Sequence, residues 1–302
     1  MASTSSIYSI IYKIIPHISK KHAALIKDCI LDGNKKKYAL VLLLERIDSV
    51  IKPYRKFERS ETRQNWICGQ IIKYFEIQRI AIPRSIIDIG GGNGNVLNVF
   101  ATKYNLPKED CICIEKSAES TLEPSSDATT TINNEFQYDF SHADRVQYVF
   151  LTNKKKEKEQ EQEDKSEQKI KQVDAIFCMV SLHHMTDLYI SDVILPLIQT
   201  KLKPGGYLLL KEHNAATAET RMLIEWEHHL YYLMERAGKR TTDELQHYAT
   251  TSTANYKSRE TYQQMMEERC GCECIRTLNN VFEAGQLDTT ASKLYWQIFR
   301  KL

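Results

Sequence analysis

Along the first 80 or so residues, apolar side chains recur at helical spacing. Ile7, Ile10, Ile11, Ile14, Ile15 and Ile18 form one stripe, and Pro16 must bend or end that helix. Leu40, Leu43, Leu44, Ile47, Val50 and Ile51 form a second, closed by Pro53; a third helix carries Trp66, Ile67, Ile71 and Phe75. From residue 85 the period changes. Short apolar runs predict strands over 85–89, 111–115, 146–152, 173–180, 206–212, 274–280 and 293–302. Helical segments lie between several of them, notably 187–202, which ends at KPGG (203–206). This alternation predicts a mostly parallel α/β sheet covered by helices. The last two strands, joined by a loop, predict a terminal hairpin. The expected division is a helical N-terminal region, 1–84, and an α/β domain, 85–302.

Residues 153–172, NKKKEKEQEQEDKSEQKIKQ, interrupt the pattern with one apolar residue, Ile170. They cannot bury a core face and read as a low-complexity surface insertion. Elsewhere the composition is that of a globular chain: 302 residues, 42% hydrophobic, 26% charged. The net charge of +2 excludes nothing, but its distribution is uneven. Lys and Arg exceed Asp and Glu before residue 85, in KKHAALIK (20–27), KKK (35–37) and YRKFERSETR (54–63). Such a face either meets nucleic acid or another polyanion, or is simply solvated. No run approaches the roughly 18 apolar residues of a membrane span. The N-terminal apolar run is broken by Ser9, Tyr12 and Lys13, unlike a signal peptide, so a cytoplasmic location is expected. The eight cysteines then read as thiols. CGCEC (270–274) lacks the usual zinc spacing, and no metal is expected.

The chemistry concentrates at IIDIGGGNGN (86–95). An apolar strand runs into four glycines, and Val96, Leu97, Val99 and Phe100 follow as a helix face. In open α/β sheets, ligands sit at such a strand–turn–helix junction. A P-loop would need Lys-Ser or Lys-Thr after the glycines; a dinucleotide fingerprint would need a third glycine at Asn95 or Leu97. The spacing present is D-x-G-x-G-x-G, from Asp88 through Gly90, Gly92 and Gly94. It suits a ligand with an adenosine but no pyrophosphate. Glu115, ending the second strand 27 residues after Asp88, can accept hydrogen bonds from both ribose hydroxyls.

In this set the sequence resembles the class I S-adenosylmethionine-dependent methyltransferases, over residues 84–302. The resemblance rests on IIDIGGGNG, CICIEK, VDAIFCMVSLHHMTD and LKPGGYLLLKEH in that order. It implies a Rossmann-like seven-stranded sheet whose last strand is antiparallel. It also implies that Gly90, Gly92 and Gly94 pass beneath the cofactor and that Glu115 holds its ribose. Asp88, which opens the motif, and Val180, at the end of the fourth strand, join the implied cofactor contacts. The adenine contact usually follows strand three, where the insertion begins, and is left unassigned.

Within that family, the stretch after strand four faces the methyl group, here MVSLHHMTD (179–187). It has no proline, which argues against the amino-methylating DNA enzymes and the cytosine-C5 enzymes. It has no aspartate near Met179, which argues against the Lys-Asp-Lys-Glu RNA enzymes. LHHMTD is similar to the segment of small-molecule O-methyltransferases whose first histidine is the general base, here His183; quinone- and lipid-type enzymes also carry L-H-H. Lys211, Glu212, His213 and Asn214, with NYKSRETY (255–262), resemble methyltransferase-fold proteins of large DNA viruses. A related L-H-Y in guanine-N7 cap enzymes keeps RNA among the acceptors. The catalytic candidates are therefore His183, Lys211 and His213, while His228 and His229 read as packing or surface groups. The expected function is methyl transfer to an oxygen or nitrogen acceptor, small molecule or RNA, with the N-terminal helices setting specificity. The alternative is a non-catalytic module that keeps the fold to hold RNA or a partner protein. The isoleucine stripe at 7–18 could pack internally or between chains.

Overall fold

The structure, a computed structural model, describes residues 3–36, 38–54, 61–92, 94–116, 145–151, 170–235, 241–251, 254–279 and 294–302. The low-complexity insertion lies outside these except for 170–172, and Ile170 is buried. Of the basic segments, Lys37 and residues 55–60 lie outside them, as does the side chain of Trp66. The chain forms two compact units: Met1–Ser60, His213–Glu260 and Asn279–Tyr295; and Glu61–Glu212, Thr261–Leu278 and Trp296–Leu302.

In the first unit, α1 (Thr4–Ile14), α2 (Lys20–Lys36) and α3 (Leu40–Ile51) come from the N-terminal region. The helix α1 stops before Pro16, which has no N–H to continue it. All six isoleucines of the 7–18 stripe are buried within the unit, so the stripe packs internally. Their partners include Leu223, Trp226, Leu230 and Leu233, from a helix that sequence periodicity did not tie to this region. The helical unit thus also contains residues that follow the fifth strand, while 61–84 fall in the sheet unit. An apolar stripe shows that a face is buried, not against what. Lys13 reaches into this core to pair with Glu227, Nζ to Oε1 2.9 Å. Lys27 and Lys36 pair with Asp28 and Asp32, which weakens the basic character of α2.

The second unit opens with α4 (Glu61–Ile77), followed by β1 (Ile86–Ile89), α5 (Asn95–Tyr104), β2 (Cys111–Lys116), β3 (Gln147–Leu151) and β4 (Val173–Met179). Next come α6 (Asp187–Tyr189), a π turn over Ile190–Ile194, α7 (Leu195–Lys201) and β5 (Leu202–His213). The π turn precedes Pro196, which cannot donate to the carbonyl one helical turn earlier. The first unit's α8 (Ala218–Glu235) and α9 (Thr242–Thr251) follow, then α10 (Arg259–Cys270), β6 (Cys272–Asn279) and β7 (Leu294–Lys301).

The sheet order is β3-β2-β1-β4-β5-β7-β6, mostly parallel with a terminal antiparallel hairpin. The strand β1 lies between β2 and β4, with Ile89 opposite Ile114 on one side and Cys178 on the other. Chain order therefore reverses at β1, the switch point where α/β sheets open a crevice. Phe75, Phe100 and Phe177 pack edge-on or tilted beneath the sheet, with ring centroids 5.7–6.3 Å apart. The strand β5 starts at Leu202, earlier than the apolar run predicts, with a register shift against β4 between Val173 and Ala175. A Cβ on Gly206 would stand 2.9 Å from the Asp174 and Lys203 carbonyls, so only glycine lets the bent strand pass there. Cys270 and Cys272 of CGCEC are buried thiols, and Cys270 Sγ lies 3.5 Å from the Leu195 carbonyl. Among the described residues no helix is long and apolar enough to cross a membrane.

Candidate active site

Gly90, Gly92 and Gly94 have φ of 68°, 63° and 66°, so the D-x-G-x-G-x-G spacing marks three left-handed residues in alternation. Close packing adds to this. A Cβ on Gly90 would fall 2.5 Å from Ser181 Cβ, and one on Gly94 would fall 2.5 Å from the Tyr148 hydroxyl. The turn leaves β1 with the Gly90 N–H on the Ile114 carbonyl at 2.8 Å and enters α5 with Gly94 as N-cap. No side chain caps that helix start, so its N–H groups suit an anionic group of a ligand.

Two carboxyl groups serve the turn differently. Glu115, at the end of β2, accepts a hydrogen bond from the Gly92 N–H, and burial pushes its pKa up to about 7 against that bond. It is partly exposed, and a carboxylate can accept further bonds from a ribose diol. Asp88 is 1% exposed and lies under Gly91, where a Cβ would stand 2.5 Å from its Oδ2. Burial first, and Glu115 second, push its pKa up to about 7. Its Oδ1 has no hydrogen-bond partner among the described residues. Asp88 thus underpins the turn from below.

The turn after β4 is fastened at four consecutive residues. The Val180 N–H donates to the Lys211 carbonyl at 2.7 Å, and Ser181 Oγ donates to the Ile89 carbonyl at 2.7 Å. Glu212 takes the next two: Oε1 accepts from the Leu182 N–H at 2.7 Å, and Oε2 lies 2.8 Å from His183 Nδ1. His183 and Glu212 are 1% and 0% exposed. Val180, the predicted cofactor contact, has φ 58°, a conformation that strains a β-branched residue.

Strand alternation separates the other candidates. Lys211 and Glu212 are adjacent on β5 and point to opposite faces. Glu212 meets His183, while Lys211 Nζ sits 4.9 Å over the Trp296 ring, which packs on Tyr74. Lys211 is therefore held at an aromatic face, and Glu212 is the carboxylate of the dyad. His213 belongs to the first unit, where its ring lies 5.0 Å from that of His228 and 5.9 Å from Tyr256. Tyr148, over Gly94, has no signal in the sequence, because its place depends on the register of β3 against β2.

Sheet order and the terminal hairpin define the class I methyltransferase fold. The chain belongs to the methyltransferase-domain family, whose model matches residues 59–277. Among solved structures it is similar to the plantazolicin methyltransferase BpumL in complex with a monoazolic desmethylPZN analog and SAH. The two are 13% identical over 97% of this chain and 99% of that one, with a TM-score of 0.47. It is also similar to the mitomycin 7-O-methyltransferase MmcR, 13% identical over 93% of this chain and 68% of that one, TM-score 0.42. The methyltransferase domain of bacterial CtHen1 is 13% identical over 79% and 98%, TM-score 0.41. No curated protein matches the chain.

Proposed function

We propose that the protein transfers a methyl group from S-adenosylmethionine to an oxygen or nitrogen acceptor, with His183 as general base. The observation that carries this reading is Glu212, whose carboxylate holds both His183 and the backbone that presents it. The glycine turn and Glu115 fit the cofactor: three left-handed glycines, an uncapped helix start and an acid at the end of β2. When bound, the cofactor supplies a sulfonium methyl. A carboxylate accepting from Nδ1–H leaves Nε2 as the basic nitrogen of His183. Nε2 would take the acceptor's proton, and Glu212 would stabilise the imidazolium formed. An imidazole base suits a phenol or other acidic hydroxyl best.

A second reading, a non-catalytic module, is favoured by one fact: the pair is almost fully buried, as a clasp that fixes the 180–183 turn would be. Methyl-labelled S-adenosylmethionine, incubated with the protein and an extract of its source, separates the two. Label in the small-molecule or RNA fraction supports the enzyme and identifies the acceptor class; cofactor binding without any transfer supports the module. His183→Ala and Glu212→Gln should lower turnover by roughly 10²–10⁴-fold with cofactor affinity kept. Equal turnover in His183→Ala would remove it as base.

A further inference from the structure

We propose that His213 and His228 form a binding site for a divalent transition-metal ion of the zinc, cobalt and nickel class. Both belong to the helical unit: His213 ends β5, and His228 lies in the middle of α8. Their ligand nitrogens approach within 4.8 Å, with the rings 5.0 Å apart and nearly perpendicular at 73°. Two imidazolium ions at that spacing would repel, so the arrangement suits neutral rings sharing a cation.

The outer groups on His228 favour the same tautomer that metal ligands use. Its Nδ1 lies 2.9 Å from the Ile224 carbonyl. A carbonyl oxygen only accepts, so Nδ1 carries the hydrogen and Nε2 carries the lone pair. The Tyr256 hydroxyl, 2.9 Å from the same Nδ1, then accepts from it as well. Its ring stands 5.8 Å from that of His228 and 5.9 Å from that of His213, closing one side of the pair. Backbone bonds hold the flanking segments in register: Ala215 N–H to the Lys257 carbonyl at 3.2 Å, and Arg259 N–H to Asn214 Oδ1 at 3.1 Å. Imidazole donors select borderline transition metals over magnesium or calcium, which prefer oxygen.

The test is zinc titration of the metal-stripped full chain by calorimetry, with cobalt substitution read by visible absorption. The expected result is about one equivalent bound, with a nitrogen-type cobalt spectrum. His213→Gln and His228→Gln should each weaken binding by more than the roughly 10–100-fold that loss of an outer-sphere partner costs. His247→Ala, at an exposed histidine of α9, should bind as the wild type does. The proposal is overturned if both glutamine variants bind zinc unchanged, if no stoichiometric binding occurs, or if cobalt shows a thiolate charge-transfer band, since eight cysteines offer a competing site. Should the variants not fold, thermal melting of the wild type decides: zinc must raise its midpoint, and no rise overturns the site.

Discussion

Replacing Asp88 by asparagine removes a carboxyl group that the fold keeps from ionising. Asp88 is 1% exposed, and burial followed by the neighbouring Glu115 raises its pKa from 3.8 to about 7. Between about pH 4 and pH 7 the folded chain therefore holds a proton that the unfolded chain has released. The unfolded state binds fewer protons there, so stability falls as pH rises through that window and levels off above it. The gap from 3.8 to about 7 corresponds to roughly 4 kcal/mol at about 1.4 kcal/mol per pH unit, an upper bound. The amide has no such proton, so Asp88→Asn should not lose this stability. Its N–H groups must find acceptors under Gly91, which costs about 1–3 kcal/mol at every pH. Glu115, also raised to about 7, titrates in both proteins and cancels to first order. Urea unfolding at pH 5, 6, 7 and 8 measures the difference directly. Asp88→Asn minus wild type should climb from pH 5 to about pH 7 and flatten towards pH 8, whatever its starting sign. Two parallel pH profiles would mean that Asp88 ionises normally in the folded chain.

Other perturbations test other parts of the same frame. Val180→Gly relieves a left-handed valine, worth about 1–2 kcal/mol, and returns about 0.5–1 kcal/mol in backbone entropy. A small net gain in urea stability is expected, and a loss above about 1 kcal/mol would refute the strain. Lys13→Met leaves Glu227, 4% exposed, without its cation. A loss of about 3 kcal/mol is expected, reduced by the partial exposure of Lys13, and Lys13→Met with Glu227→Leu should recover most of it. If the single variant melts like the wild type, the pair is solvent-screened.

The sequence by itself determined the repeating elements and the glycine turn after β1. Strand runs were legible because burial on both faces demands continuous apolar residues, as in SIIDI and CICIE. The glycine turn was legible because left-handed backbone at residues 90, 92 and 94 restricts the choice of residue at those positions. Long-range partners were not legible. Periodicity showed that Ile7 through Ile18 share a buried face; it could not show that Leu223, Trp226, Leu230 and Leu233 cover it. Lys211, Glu212 and His213 looked equivalent as consecutive polar residues at a strand end. Only the pleat, which sends neighbours to opposite faces, gave Glu212 to His183 and Lys211 to Trp296. His213 and His228 are 15 residues apart in sequence, with nothing in their spacing to join them, and it is the packing of α8 that sets their rings 5.0 Å apart. Local backbone demands leave a mark on composition, whereas the pairing of distant side chains is decided by how the elements pack.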